Sequence, residues 1–290
     1  MIQSTLIEPT VGSVTSADGV TIGYRSLGSG PGVVLLHGAM ESSASHLDLG
    51  RALARDFTVY LPDRRGRGLS GPFAADYGVH CEVDDLAALL AATGARNVFG
   101  VSAGAIIALE AALALPGIGK AAIFEPPLFP DKATPAASLA RYDEELAAGD
   151  LPAAMVTGML AAQMGPPIFA RIPRPLLKKL TVFGMKQDDK NTADGYIPMR
   201  ALGPLLHYDF TLSAQASGPV DRYAGIGADV LLLNGTKSPA YLQASVASLA
   251  RVLPAVQRVE FAGLDHGASG NADRRGKPEV VAEALRAFFA

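Results

Sequence analysis

The sequence predicts an α/β fold: a mostly parallel, eight-stranded sheet with helices on both faces and an inserted α-helical cap. Three observations carry this. Short apolar runs such as Val33-Val34-Leu35-Leu36 and Val230-Leu231-Leu232-Leu233 lack polar alternation, as expected of strands covered on both faces. Such runs alternate with helix-period segments, the pattern of crossover connections in a parallel sheet. The interval from Glu125 to Asp229 holds no convincing strand and is too long for a plain connection.

The elements follow in order. Residues 11–16 and 20–27 alternate around the turn Ala17-Asp18-Gly19 and read as a hairpin. Gly28 to Gly32 is a loop, and the strand after it ends in His37-Gly38-Ala39-Met40. A helix is expected near 44–55, then the strand Phe57-Thr58-Val59-Tyr60-Leu61, ending in Pro62-Asp63-Arg64-Arg65-Gly66-Arg67-Gly68. Residues 80–93 form an amphipathic helix. Asn97-Val98-Phe99 is a short strand, and residues 105–113 are strong helix formers. Lys120-Ala121-Ala122-Ile123-Phe124 is a strand followed by Glu125-Pro126-Pro127. Helical stretches near 136–148, 151–163, 174–184 and 197–206, separated by Pro and Gly, fill the long interval. A strand at 229–233, a helix near 240–252, a strand at 256–261 and a helix over 278–289 complete the chain. Residues 1–126 and 226–290 are therefore read as the core, and 127–225 as a cap over the mouth of the sheet.

Composition sets limits. In 290 residues, 49% are hydrophobic and 18% charged, enough apolar content for a sizeable core and too much for disorder. The net charge of −3 carries no overall footprint for nucleic acid or an anionic membrane. The longest apolar stretch, near 104–116, is too short to span a bilayer. The segment MIQSTLIEPTVGS has neither the basic start nor the apolar run of a signal peptide. Cys81 is the only cysteine, which excludes an internal disulfide and fits a reducing compartment. A cytoplasmic protein is the expectation.

The stretch Gly100-Val101-Ser102-Ala103-Gly104 carries the chemistry. In a chain with 31 Gly the bare G-x-S-x-G pattern is weak, so its context decides. Here it joins a strand to a helix, where a sharp turn needs small neighbours on both sides of an exposed serine. The helix N-terminus aims free N–H groups at developing negative charge. Ser102 is the candidate nucleophile and needs a base, usually an imidazole near neutral pH. Of five histidines, His266 alone follows the last strand in a polar, Gly-containing loop. His37 is expected to hold loop backbone; His46, His80 and His207 are read as surface or cap residues, with His207 a candidate for the pocket.

Four landmarks in this order resemble the α/β-hydrolase superfamily along nearly the whole chain: His37-Gly38-Ala39, Asp63-Arg64-Arg65-Gly66-Arg67-Gly68, the turn at Ser102, and Leu264-Asp265-His266-Gly267. The resemblance implies Ser102 as nucleophile and His266 as its base. It also implies an oxyanion hole from the backbone N–H groups of Ala39 and Ala103. It implies a third residue too, an acid that orients the imidazole. In most of the family that acid is an Asp just after the penultimate strand. Here the segment reads Asn234-Gly235-Thr236-Lys237-Ser238-Pro239, with Ser238 in its place. Glu125, at the end of the strand after the Ser102 helix, is the first candidate. Certain haloalkane dehalogenases and fungal resorcylic-lactone hydrolases are similar in carrying the acid there. Asp265 and Asp209 are the alternatives, and a site without an acid is the third.

A serine at the turn selects acyl transfer to water, whereas dehalogenases and epoxide hydrolases of this fold use Asp there. The reading is a serine hydrolase of carboxylesterase or lactonase type, acting on a medium-sized hydrophobic ester or lactone through Ser102, His266 and Glu125. Met40, Met155, Met159, Phe183 and His207 are the candidate pocket residues, alongside Met164, Phe169, Leu176, Leu177 and Met185 in the cap. Alternatives are a carbon–carbon hydrolase, a perhydrolase side activity or a cofactor-free secondary-metabolism enzyme on the same triad. A binding protein on a degenerate hydrolase frame, motivated by Ser238, comes from a different class. Arg64 and Arg65 are read as local ion-pair formers rather than a phosphate site. Gly28-Ser29-Gly30-Pro31-Gly32 precedes a strand and is not a dinucleotide loop. No His/Cys/Asp cluster has metal spacing, so no metal or cofactor is expected. The partner is a hydrophobic small molecule, and the sequence leaves the oligomeric state open.

Overall fold

The computed structural model describes residues 8–191 and 196–290. The hairpin is β1 (Thr10–Thr15) and β2 (Thr21–Leu27), followed by β3 (Gly32–Leu36). The helix expected near 44–55 divides into a 3-10 turn, Ser43–His46, and α1 (Leu47–Leu53). Next come β4 (Thr58–Pro62), α2 (Val79–Thr93), β5 (Asn97–Val101), α3 (Ala103–Ala114) and β6 (Lys120–Phe124). The long interval contains α4 (Ala133–Ala147), α5 (Leu151–Ala161), α6 (Arg174–Asp188), α7 (Met199–Leu202) and α8 (Leu206–Ala216). The chain then returns through β7 (Asp229–Gly235), α9 (Ala240–Val252), β8 (Val256–Phe261) and α10 (Pro278–Phe289).

The strands form one sheet in the order β1-β2-β4-β3-β5-β6-β7-β8, with β1 and β2 antiparallel and the other six mutually parallel. Two apolar layers cover it. On one face Leu86, Leu89, Ile106, Leu109, Val246 and Leu249 of α2, α3 and α9 meet Val34, Val98, Ile123 and Leu232. On the other, Leu49, Leu53, Val281 and Leu285 of α1 and α10 meet Val33, Leu35, Phe99 and Leu231. Adjacent residues of a strand thus belong to opposite layers, which is why these strands read as unbroken apolar runs. Each fully buried aliphatic side chain here contributes about 1.5–3 kcal/mol.

Helix α8 differs from the expectation, which ended the helical stretch at 206. Its inward positions are Leu206, Asp209, Leu212, Ser213 and Ala216. A buried acid and a buried serine on the inner face interrupt the apolar period that would mark it. Asp209 is tolerated there because it meets two arginines, and Ser213 because its hydroxyl donates to the Pro127 carbonyl at 2.7 Å.

The topology positions the site. After β3 the chain crosses to β4 on one side, and after β5 it crosses to β6 on the other. Neighbouring strands whose connections leave in opposite directions open a crevice beyond their carboxyl ends. The loops at Gly38-Ala39-Met40 and at Ser102 lie at that crevice.

Candidate active site

Ser102 forms the turn between β5 and α3 with φ 56° and ψ −121°, and its own N–H donates to Phe124 O at 3.0 Å. The two glycines of the motif have a measurable reason. A Cβ at Gly100 would meet Gly104 O at 2.1 Å, and one at Gly104 would meet Leu36 O at 2.3 Å. Among the described residues five non-glycines have positive φ, and three of them are Met40, Ser102 and Glu125. These follow the carboxyl ends of β3, β5 and β6, so backbone strain concentrates at one rim.

Ala39 and Ala103 flank Ser102 and line the same cavity. The Ala103 N–H is the first of α3 and has no carbonyl one turn earlier in the helix to bond. A Cβ at Gly38 would come within 3.0 Å of Ser102 Cβ, so glycine lets this loop close on the serine. The Gly38 N–H is held by Glu41 Oε2 at 2.7 Å.

His266 and Glu125 meet across 141 residues of sequence, with Nδ1 2.6 Å from Oε2. A carboxylate only accepts, so Nδ1 carries the ring proton and Nε2 is left as the acceptor nitrogen. The other oxygen of Glu125, Oε1, accepts the Gly235 N–H at 2.7 Å. Glu125 is fully buried and His266 lines the cavity with Ser102. A buried carboxylate with both oxygens engaged stays in one orientation and fixes the imidazole.

Neither alternative acid reaches His266. Asp265 is exposed and accepts from Gly267 N in its own loop at 3.0 Å. Asp209 receives Arg64 Nη1 at 2.8 Å and Arg67 Nη2 at 2.6 Å. Ser238 is buried, and its Oγ has no hydrogen-bond partner among the described residues. Arg64 also pairs with Glu82, and Arg65 with Asp85 and Asp18, as local ion pairs. His37 holds backbone: its Nδ1 meets Gly38 O at 2.9 Å and its Nε2 accepts Arg64 N–H at 3.1 Å. Burial, reinforced by the positive Arg67 and Arg64, drives its pKa down, so the ring is neutral.

Between the crevice and helices α4 to α8 lies a cavity of about 400 Å³. Met40, Met155 and Met159 line it, with Met164 and Met199, making five of the chain's seven methionines. Phe129, Leu206, Phe210 and Tyr241 add apolar wall, and its charged or titratable side chains are Asp209, His266 and Tyr241. Two expected pocket residues lie elsewhere. Phe183 is 62% exposed, because α6 buries Leu177 and Met185 and turns Phe183 outward; Thr181 and Gly184 of that helix reach the cavity instead. His207 stands on the outer side of α8, its Nδ1 2.8 Å from Asp143 Oδ1.

His46 is a correction of a different kind. It was expected at the surface and is buried. Its Nε2 lies 3.0 Å from Glu41 Oε2 and its Nδ1 2.9 Å from Ser269 O. Both partners only accept, so both nitrogens must donate and the ring is an imidazolium. Burial opposes the charge, but Glu41 outweighs it and raises the His46 pKa. Burial would likewise raise the Glu41 carboxyl, yet His46 and the Gly38 N–H hold it down at about 2. This strut ties the loop at Gly38-Ala39 to the loop carrying His266. The sequence gives no sign of it beyond a Glu and a His five residues apart. Away from the cavity, Asp76, His80 and Cys81 bring three potential ligand atoms within 4.8 Å, a grouping the spacing did not suggest. Burial pushes the Cys81 thiol up, against the thiolate that would bind a metal.

The chain belongs to the alpha/beta hydrolase family, whose model matches residues 33–284. It is similar to a crystal structure of an alpha/beta hydrolase from Sphaerobacter thermophilus DSM 20745, 31% identical with a TM-score of 0.76, covering 96% of this chain and 100% of that one. It is 26% identical to 2-(acetamidomethylene)succinate hydrolase of Mesorhizobium japonicum over 275 residues, 93% of this chain and 92% of that protein. A shorter match, 34% identical over 95 residues, relates 32% of the chain to an uncharacterized protein of Mycobacterium bovis and spans only 28% of that relative's length. No helix among the described residues is long and apolar enough to cross a membrane.

Proposed function

We propose that this protein is a serine hydrolase that cleaves a carboxylic ester or lactone of a neutral, hydrophobic small molecule, with residues 127–225 acting as a cap over the site. The observation that carries the reading is the bond from buried Glu125 to His266, which lines the same cavity as the strained Ser102. Ser102 Oγ attacks the acyl carbon while His266 Nε2 takes its proton. The carbonyl oxygen gains negative charge, which the N–H groups of Ala39 and Ala103 receive. His266 returns the proton to the departing alkoxide as the acyl-enzyme forms. Water then attacks the acyl carbon, giving its proton to His266, and the acid is released with Ser102 restored. Glu125 stabilises the imidazolium at each stage without itself taking a proton.

The wall supports a neutral substrate. The Mesorhizobium relative is named for a succinate, a dicarboxylate, whereas the residues lining this cavity include no Lys or Arg, and its one acid, Asp209, already engages Arg64 and Arg67. A dianion would lose its hydration there without a cation to meet it. The Glu125–His266 bond favours catalysis over a binding protein on a degenerate hydrolase frame, since it supplies the acid that Ser238 does not.

The experiment is hydrolysis of a p-nitrophenyl ester series, with fluorophosphonate labelling in parallel. Wild type should turn over and be labelled, with a preference for chains that fill about 400 Å³, and Ser102→Ala should do neither. 2-(Acetamidomethylene)succinate should be a poor substrate. Folded wild-type protein that neither labels nor turns over any ester sinks the proposal.

A further inference from the structure

Eight large hydrophobic side chains are exposed on the described surface, and five of them fall between residues 164 and 183. Leu176, Leu180 and Phe183 follow an i, i+4, i+7 spacing along α6 and are 49%, 48% and 62% exposed. Leu177 and Met185, on the other side of the helix, are buried. Met164 and Ile168 add to the exposed group just before the helix. Single exposed apolar residues are ordinary, but a contiguous stripe marks an interaction surface. This one borders the cavity, because Met164 and the α6 residues Thr181 and Gly184 also line it.

The charge around the stripe is mostly positive, the acids Asp188 and Asp189 standing only at the end of α6. Residues 151–187 contain five Lys or Arg and no Asp or Glu, within a chain of net charge −3. Arg174 and Lys178 are tied to Glu145 and Asp150, while Arg171, Lys179 and Lys186 are exposed. An outward apolar stripe flanked by lysines is the form of a helix that lies in a lipid interface. We infer that this face docks the protein onto an anionic lipid surface, with the cavity mouth turned toward the lipid. A second copy of the chain fits less well, since a symmetric pairing of this face would bring two sets of like charges together. The excess positive charge on this segment and the negative balance of the rest orient the molecule on such a surface. The whole-chain charge hid this by averaging over it. Docking stands apart from the proposed hydrolysis. If both hold, an apolar ester enters the cavity from the lipid without crossing water.

The test is co-sedimentation with vesicles of phosphatidylcholine alone and of phosphatidylcholine with one-third phosphatidylglycerol, at low and high salt. Ser102→Ala is used beside wild type, so binding is read independently of turnover. Both should bind the anionic vesicles, weakly bind the neutral ones, and release with salt. Replacing Lys179 and Lys186 by Gln should lower the partition coefficient about 30-fold at low salt. Leu180→Ser with Phe183→Ser should abolish binding, and since both side chains are exposed the circular dichroism should be unchanged. Folded protein that stays in the supernatant with anionic vesicles overturns the inference. So does a dimer in sedimentation velocity that the Leu180→Ser, Phe183→Ser variant dissociates, which would assign the face to a second copy.

Discussion

Replacing Glu125 by Gln exchanges one carboxylate oxygen for NH2 and changes almost no volume, so it tests the carboxylate without repacking the site. In the wild type one carboxylate oxygen accepts from Gly235 N and the other faces His266 Nδ1, in a fully buried site. Glutamine has one oxygen and one NH2. Turning the NH2 toward Gly235 would set donor against donor and leave a buried N–H unsatisfied, at about 1–3 kcal/mol. The oxygen therefore stays on Gly235, and the NH2 donates to His266 Nδ1. That reverses the tautomer, places the ring proton on Nε2, and removes the acceptor that Ser102 needs. Replacing a triad carboxylate by its amide elsewhere lowers kcat about 10⁴-fold. This equals about 5.5 kcal/mol of barrier. The assay is kcat on p-nitrophenyl butyrate, with the rate of fluorophosphonate labelling as an independent reading and Ser102→Ala as background. A folded Glu125→Gln enzyme within tenfold of wild type would refute the assignment of Glu125.

Ser238→Ala should leave kcat unchanged and stability neutral or slightly raised, because the buried Oγ has no partner to lose; a large fall in activity would mean that Ser238 touches the reaction. Asp209→Ala should destabilise by about 3–5 kcal/mol, read from urea unfolding, since it strips the carboxylate from two buried arginines. The Glu41–His46 strut has a defined pH signature. The His46 pKa is raised, so its contribution is complete below the ordinary value of 6.5 and is lost as pH rises through the folded value. The Glu41 contribution is complete above 4.5 and is lost as pH falls toward about 2. The stability gap between wild type and His46→Gln should therefore be flat from about pH 4.5 to 6.5 and narrow on the alkaline side; a gap that widens there would contradict the charge on His46.

Much of the fold is legible because its signals are local. The apolar runs of the central strands, the hairpin turn at Asp18-Gly19 and the small residues around Ser102 each answer a constraint a few residues wide. Helix α8 was not legible, because Asp209 and Ser213 occupy its inner face and are satisfied by Arg64, Arg67 and a carbonyl remote in sequence. The side of α6 that faces inward was not legible either. Leu176, Leu177, Leu180 and Phe183 are equally apolar, and only the packing of neighbouring helices chooses among them.

The sequence by itself determined that strands and helices alternate, that a helical segment is inserted after Glu125, and that Ser102 sits where only small neighbours fit. It also offered Glu125, Asp265 and Asp209 as the acid, beside a site with none. The tertiary structure decided which of them meets His266, because the contact spans 141 residues and depends on β6 and β8 ending on one rim on either side of β7. It likewise decided that His46 is a buried imidazolium and that Phe183 faces solvent rather than the cavity. Local propensity and period act through neighbours in the chain, whereas hydrogen-bond partners and burial are set by elements that the sheet brings together from distant positions.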